Sequence, residues 1–331
     1  MPNTLGTLAA TQVIVQEALS LIYTMRPALR YFSLGFTDKD GSPYALFNQA
    51  VVTRIITVPA VGDFKTDGSG AATLRADVDV SVTLNKFRTV WHAFLPTEYS
   101  ATNRDLVRES AEPLAVALGN DMIDAIAAVW TLANYPARTP GQAGYSPDTV
   151  TNAVNATKYV HGAGWDYSTV TTLRAILNKA GVPGAGGGQR FLVINSDVNA
   201  SFLNDLRIVA YLNNPKNADA ITTGRLPNVA GFGLDEYPAL PANGINLLGA
   251  AGTPDSTVYA QRVPKDPREM GGFNGVPIPG LMTVISDART GLSVAMDLWV
   301  DMPTRNANFR LSWMYGTAPG AKNNIELLTS V

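Results

Sequence analysis

The stretch Thr73-Leu74-Arg75-Ala76-Asp77-Val78-Asp79-Val80-Ser81-Val82-Thr83-Leu84 alternates between polar and apolar side chains without interruption. Successive side chains of a β-strand point to opposite faces, so this period of two predicts a strand with one apolar face and one polar face. At about 3.3 Å per residue the strand would span roughly 40 Å, longer than most strands of globular proteins.

A partner strand is predicted just before this stretch, over Arg54-Ile55-Ile56-Thr57-Val58, with the polar and glycine-rich segment 63–70 as the tip of a hairpin. A two-stranded hairpin is marginal alone in water, so its apolar face requires another surface. One interpretation is the edge hairpin of a β-sandwich. The other is a projecting arm, whose apolar stripe from Leu74 to Leu84 packs against a different copy of the chain.

Two helices flank the hairpin in the sequence. The first lies within residues 1–50 and ends before Pro27; its apolar residues recur at helical spacing, namely Val15, Ala18, Leu19 and Ile22. A longer helix is predicted over 102–134, with an apolar stripe made of Leu106, Leu114, Leu118, Met122 and Ile126. Pro113 falls inside that pattern, so the helix either kinks there or restarts with Pro113 as its first residue.

Residues 168–260 are predicted to form a compact α/β unit. Ser168 would cap a helix that Gly181 ends, 191–194 would be a buried strand, and Asp197 would open the next helix. The chain then returns in strands, which are predicted over 281–286, 292–300 and 308–315.

The composition limits the classes of function. The chain has 331 residues and no cysteine, which excludes a disulfide framework and a thiolate metal site. A net charge of −2 argues against electrostatic binding of nucleic acid. The charged fraction of 16% is below the usual quarter. This fits an ordinary polar surface, or a surface largely covered by other subunits, because interface cores are depleted in charge.

Three segments approach the motif of a catalytic or binding site, and each departs from it. The run Gly184-Ala185-Gly186-Gly187-Gly188 follows a helix and precedes a strand, the reverse of a phosphate loop. The segment Gly291-Leu292-Ser293-Val294-Ala295 lacks the final glycine of a nucleophile elbow. The calcium-loop pattern that starts at Asp197 has Phe202 where glycine is required. His92 lies among apolar residues and is expected to be packed. We therefore predict no enzymatic activity, no metal and no cofactor, and no membrane-spanning segment.

The order of the elements resembles that of the major capsid proteins of tailed bacteriophages, which share the Hong-Kong-97-type fold. Local sequence is similar to the family at Phe191-Leu192-Val193-Ile194-Asn195-Ser196-Asp197, Phe202-Leu203-Asn204-Asp205, Ile221-Thr222-Thr223-Gly224 with Gly231-Phe232, Asp287-Ala288-Arg289-Thr290-Gly291 and Trp313-Met314-Tyr315-Gly316. The resemblance covers essentially the whole chain and depends on the order of these segments, since none is a strict signature.

The resemblance implies an α+β fold of the Hong-Kong-97 type with five regions. They would be an N-terminal arm (1–50), an extended β-hairpin loop (51–95), a peripheral domain with a spine helix (96–167), an apical α/β domain (168–260), and closing strands that return to both domains (261–331).

The function that the resemblance implies is self-assembly. Hexamers and pentamers of the chain would form the icosahedral head shell of a phage, assembled in the cytoplasm of the host bacterium and enclosing double-stranded DNA without sequence-specific binding. A separate scaffolding protein, a portal and a decoration protein would be partners of the chain. An encapsulin-type nanocompartment shell, and a soluble β-rich binding protein or hydrolase, remain as alternatives.

The same resemblance implies two sets of residues that contact other subunits. In the extended loop they are Ile56, Val58, Phe64, Lys65, Leu74, Val78, Val80 and Val82. In the arm they are Ile14, Leu19, Tyr31 and Phe32.

Overall fold

The computed structural model describes residues 8–25, 44–55, 77–101, 106–136, 158–161, 166–184, 190–212, 228–238, 240–265, 281–287 and 291–330. Helices α1 to α6 span Leu8–Met25, Pro96–Ala101, Leu106–Ala127, Tyr167–Lys179, Ser196–Leu203 and Leu206–Leu212. Strands β1 to β7 span Tyr44–Ala45, Ala50–Ile55, Val78–Thr83, Lys86–Phe94, Lys158–His161, Arg190–Ile194 and Phe232–Glu236. Strands β8 to β13 span Leu247–Gly252, Thr257–Pro264, Leu281–Ser286, Ser293–Val300, Ala307–Pro319 and Ile325–Ser330.

A six-stranded sheet is built around the long strand β12. Its order is β1-β9-β12-β11-β10, and β4 pairs with β12 along the opposite side of that strand. The β4 ladder runs from Phe94 opposite Ala307 to Lys86 opposite Tyr315. Residues 86–94 therefore belong to this sheet and not to the hairpin, which was predicted to continue to residue 95.

A five-stranded sheet of order β5-β13-β8-β6-β7 forms the second layer. Its strand β6 is buried along its whole length, which confirms the predicted buried strand at 191–194. Helices α4 and α5 cover one face, where Leu173, Leu177 and Phe202 pack against Leu192 and other buried residues. The C-terminal strand β13 joins this sheet between β5 and β8, so the end of the chain completes the α/β unit.

Helix α3 lies in the main core, together with the inner face of the six-stranded sheet and the second face of the five-stranded sheet. Two hydrogen bonds fix the helix to neighbouring segments. The hydroxyl of Tyr315 on β12 donates to the carboxylate of Asp121 at 2.5 Å, and the hydroxyl of Tyr237, just after β7, donates to Asp124. Burial raises the pKa of Tyr315, and the adjacent Asp121 adds to that rise, so the hydroxyl keeps its proton and remains a donor.

Helix α3 continues through Pro113 without ending or restarting there. Proline lacks the N–H that would bond to the carbonyl of residue 109, one turn earlier. Both Pro113 and Glu109 lie on the exposed side of the helix. Water can therefore accept the role of donor to the carbonyl of residue 109, and the long helix tolerates the loss of this one backbone hydrogen bond.

The cap of α4 differs from the predicted one. Asp166, and not Ser168, is the N-cap, because its carboxylate accepts a hydrogen bond from the backbone N–H of Thr169 at 2.8 Å. The predicted end is confirmed: Gly181 has a φ of 71°. Its left-handed conformation lets the next N–H bond back to the carbonyl of Leu177 at 3.0 Å.

The cap of α5 was also misassigned. Asn195 precedes the helix, and its side-chain oxygen accepts from the backbone N–H of Val198 at 2.9 Å. Asp197 lies in the first turn, where its negative charge faces the positive end of the helix dipole.

Candidate assembly surfaces

The predicted hairpin exists and its described part is the ladder of β2 and β3. Val51 lies opposite Val82, Thr53 opposite Val80, and Ile55 opposite Val78, so these side chains share one face. At the base of the hairpin this face packs against the outer face of the six-stranded sheet. The cluster there is formed by Val51, Val82, Leu84, Val258, Ala260 and Met314.

Burial of the apolar face decreases steadily away from the base. Val82 is 0% exposed, Val80 is partly buried, and Val78 is 55% exposed. The three residues lie on one strand at alternate positions, so they face the same way. The hairpin therefore rests on its own molecule at its base and projects beyond it at Val78.

This gradient corrects the expectation that the whole stripe up to Leu84 packs against another copy. Val82 and Leu84 are fully buried within their own chain and have no surface left for a second subunit. In the single chain, therefore, Val82 offers no exposed surface for the inter-subunit contact that was predicted for it. The alternation of residues predicted the apolar face correctly but carried no information on which molecule covers it.

Leu19 was likewise predicted to contact another subunit, and it has no exposed surface in the single chain. It is 0% exposed in the main core of its own chain, where α1 packs along α3. Ile14 is partly buried against the same core. Val13, on the other side of α1, is 53% exposed.

Several predicted contact residues lie outside the described residues, and their assignment stays a prediction. In the loop they are Ile56, Val58, Phe64, Lys65 and Leu74, and in the arm they are Tyr31 and Phe32. Among the predicted loop residues, Val78 and Val80 lie within the described ranges and have side chains that are exposed or partly exposed.

The base of the hairpin is held in place by backbone groups. The N–H of Asn48 donates to the carbonyl of Leu84, and the N–H of Leu84 donates to the carbonyl of Gln49, both at 3.0 Å. Asn48 has a φ of 64°, a left-handed conformation that asparagine tolerates better than most residues. These bonds fix the point at which the hairpin leaves the sheet.

The polar face of the hairpin carries an ion pair. Arg54 Nε donates to the carboxylate of Asp79 at 2.7 Å, across the two strands. The hydrogen bond from Arg54 lowers the pKa of Asp79 below its ordinary value. The charges of Arg54 and Asp79 compensate each other within the hairpin. This pair therefore leaves no unmatched charge beside the apolar face of the projecting end.

A second exposed apolar surface lies on the outer face of the six-stranded sheet, and sequence reasoning missed it. We name it the aromatic platform, formed by Phe87 and Trp91 on β4 and Trp299 on β11. Phe87 is 48% exposed and Trp91 is 57% exposed. The rings of Trp91 and Trp299 meet edge to face at a centroid distance of 6.0 Å.

The neighbouring charges of the platform are paired. Arg310 lies opposite Trp91 in the register, and its guanidinium sits 5.0 Å from the centre of the Trp299 ring. The same guanidinium donates to Asp297 at 2.8 Å. His92, next to Trp91, was expected to be packed but is exposed, because the inner face of β4 is only partly covered.

Within the ranges that the structure describes, no group of three or more histidine, aspartate or glutamate side chains is placed to hold a metal ion. Among the described helices, none combines the length and the apolar character that crossing a bilayer would need.

No family model matches the sequence, and no curated protein matches it. Solved structures do match in three dimensions. A chain from the capsid structure of Cyanophage P-SCSP1u has a TM-score of 0.52 and 10% identity over 90% of this chain and 86% of that chain. A chain from the mature capsid of bacteriophage PhiM1 has a TM-score of 0.52 and 9% identity over 92% and 86%.

A chain from the capsid asymmetric unit of Cyanophage Pam1 also has a TM-score of 0.52, with 13% identity over 89% of this chain and 87% of that chain. At such low identities the likeness lies in the fold. The chain is a mixed helix and sheet protein with the fold of chains found in phage capsids.

Proposed function

We propose that the chain is the major capsid protein of a tailed bacteriophage, which assembles with copies of itself into the icosahedral shell of the virion head. The single observation that carries this proposal is the apolar face of the hairpin. It is buried at Val82 and exposed at Val78. An apolar strand face that continues beyond its own molecule requires a second surface, and a copy of the same chain supplies one in an assembly.

Two further observations support the proposal. The fold is that of chains in phage capsid structures over about nine tenths of the sequence. The charged fraction of 16% is low, as expected when much of the surface is covered by other subunits. Hexamers and pentamers would form through heterologous contacts, in which one surface of a subunit meets a different surface of the next.

The five regions inferred from the sequence are part of the proposal. Residues 1–50 would be the arm. Residues 51–95 would be the extended-loop region, which contains the hairpin and also strand β4 of the six-stranded sheet. Residues 96–167 would be the peripheral domain, with α3 as its spine helix. Residues 168–260 would be the apical domain, and 261–331 would close both. Ile56, Val58, Phe64, Lys65, Leu74, Val78 and Val80 of the loop, with Ile14, Tyr31 and Phe32 of the arm, would contact neighbouring subunits.

The shell would enclose double-stranded DNA by confinement, since the net charge of −2 offers no basic surface for specific binding. A scaffolding protein, a portal and a decoration protein would be its partners. No catalytic residue is assigned to the chain.

Deletion of residues 60–72, near the predicted tip of the loop, tests the proposal. We expect the full-length protein to form capsomers or closed shells, observed by light scattering and electron microscopy. The deletion variant should keep the circular dichroism and the unfolding midpoint of the full chain and fail to close shells. The substitution Met302→Ser, at an exposed residue on a turn, is the control and should assemble normally. Normal shells from the deletion variant would contradict the proposal.

A further inference from the structure

The segment between β7 and β8 reaches back to the end of the long helix α3. The side-chain amide of Asn243 donates to the carbonyl of Ala127 at 2.8 Å and to the carbonyl of Trp130 at 2.9 Å. The last carbonyls of a helix have no partner within the helix, so a donor from another segment stabilises its end. The amide nitrogen of Asn243 therefore uses both of its hydrogens to hold this end of α3.

Asn243 and Gly244 form the centre of a tight turn. Their φ angles are 49° and 69°, and the N–H of Ile245 donates to the carbonyl of Ala242 at 3.0 Å. Two positive φ angles at the central positions define a type I′ turn, for which Asn-Gly is a preferred sequence. Gly244 is exposed, and no atom lies within 4 Å of the position that a side chain on it would take.

Asn-Gly is also the sequence in which an asparagine is most easily deamidated, because glycine has no side chain to shield its backbone nitrogen. The nitrogen of Gly244 bonds to Cγ of Asn243 while the bond from Cγ to Nδ2 breaks. The side-chain nitrogen leaves as ammonia, taking up the proton that Gly244 loses. Water then opens the five-membered ring and leaves aspartate or isoaspartate at position 243.

The folded structure opposes this reaction, and the product opposes the folded structure. Ring closure requires the side chain of Asn243 to rotate onto its own backbone, so both of its hydrogen bonds to α3 must break. The carboxylate of the product only accepts hydrogen bonds and cannot donate to the carbonyls of Ala127 and Trp130. Its negative charge would also face the negative end of the helix dipole.

We propose that Asn243 is a gated modification site, at which deamidation follows detachment of the turn from α3 and then prevents its return. The inference concerns the single chain and does not depend on the proposed function. Trp130 connects the site to both sheets, because its ring stacks on Phe191 of β6 and its indole N–H donates to Thr257 of β9. Deamidation would therefore loosen α3 at the point where the two sheets meet its end.

The substitution Asn243→Asp reproduces the product. We expect its thermal unfolding midpoint to lie about 2–6 °C below that of the parent protein, the shift expected from the loss of two hydrogen bonds. Asn243→Gly keeps the turn and removes the donors without adding a charge, so its midpoint should lie between the two. Asn246→Asp is the matched control and should unfold with the parent, because Asn246 is exposed in the same segment and also has a positive φ, of 48°.

Peptide mass spectrometry of the folded protein, incubated at mildly alkaline pH, measures the modification itself. A synthetic peptide of residues 240–247 in the same buffer gives the rate without gating. We expect Asn243 to convert at least about a hundredfold more slowly in the folded protein than in the peptide, because the turn has to open first. Converted protein, separated by ion exchange, should unfold at a midpoint at least as low as that of Asn243→Asp.

Two results would overturn the inference. One is conversion of Asn243 in the folded protein as fast as in the peptide, which would show that α3 does not gate the reaction. The other is an Asn243→Asp variant that unfolds at the same midpoint as Asn246→Asp, which would show that the amide does not hold the end of the helix.

Discussion

Gly316 lies directly beneath Thr83, and the carbonyl oxygen of Thr83 occupies the space that a side chain on Gly316 would need. This contact brings the backbone of β3 against the backbone of β12. It seats the base of the hairpin on the outer face of the six-stranded sheet, with Val82 and Met314 in the cluster around it. The close approach of the two strands therefore depends on the absence of a side chain at Gly316.

The substitution Gly316→Ala should destabilise the protein by about 1–3 kcal/mol, the usual cost of inserting a methyl group where backbone must move. Urea unfolding measures the change. Lys322→Ala, an exposed substitution just after β12, serves as the control and should leave the unfolding free energy within about 0.5 kcal/mol. An alanine at 316 that costs nothing would show that the hairpin base is not seated as described.

The two threonine substitutions Val82→Thr and Val78→Thr compare positions on the same strand face. Threonine has nearly the shape of valine, so the added hydroxyl is the main difference. At the buried Val82 it should cost about 1–3 kcal/mol in unfolding free energy. At the exposed Val78 it should cost less than about 0.5 kcal/mol. Equal costs at both positions would contradict the burial gradient.

A charge at the projecting end separates folding from assembly. Val78→Asp should leave the unfolding midpoint unchanged, because water surrounds the side chain in the single chain. It should weaken assembly strongly, because a charge would have to be desolvated at the contact. Sedimentation velocity across a concentration series compares this variant with Val78→Thr. Full assembly of the aspartate variant would exclude Val78 from any contact.

Tyrosine hydroxyls hold helix α3 in place through hydrogen bonds to its acidic residues. Tyr315→Phe removes the donor to Asp121 and should cost about 1.5–3 kcal/mol, as expected for a hydrogen bond to a charged group. The same substitution in an Asp121→Asn background should cost less, because the acceptor is then neutral. Chemical denaturation of the four proteins of this cycle measures the coupling. Zero coupling would mean that the bond does not contribute to stability.

Stability should fall at alkaline pH through Tyr135. Burial raises its pKa to about 12, although the hydrogen bond to Thr257 opposes the rise. The unfolded value is about 10, so the folded protein holds this proton more tightly. The stabilisation is complete below pH about 10 and is lost as the pH rises toward 12. Thermal unfolding from pH 8 to 11.5 tests this, and a Tyr135→Phe variant should show a shallower decline.

The alternation from Thr73 to Leu84 fits a strand and not a helix, and β3 does pair with a preceding strand, although β2 spans Ala50–Ile55 and the partner was predicted over 54–58. The strand at 281–286 and the buried strand at 191–194 were predicted from another signal. Their apolar runs are short and bounded by turn residues. Local pattern was sufficient wherever one periodicity dominated.

The errors have a common physical origin. Val82 and Leu19 are apolar in a periodic pattern, but periodicity gives the face of an element and not the molecule that covers it. The caps at Asp166 and Asn195 were missed because several neighbouring side chains could accept the same hydrogen bond. The platform at Trp91 was missed because β4 carries aromatic residues on both faces, and only the pairing with β12 distinguishes them.

Electron microscopy of the purified full-length protein at high concentration, checked by light scattering, tests the central claim most directly. The account predicts ring-shaped capsomers or closed icosahedral shells in which each hairpin reaches a neighbouring subunit. A monodisperse monomer under those conditions, with or without a scaffolding partner, would contradict it.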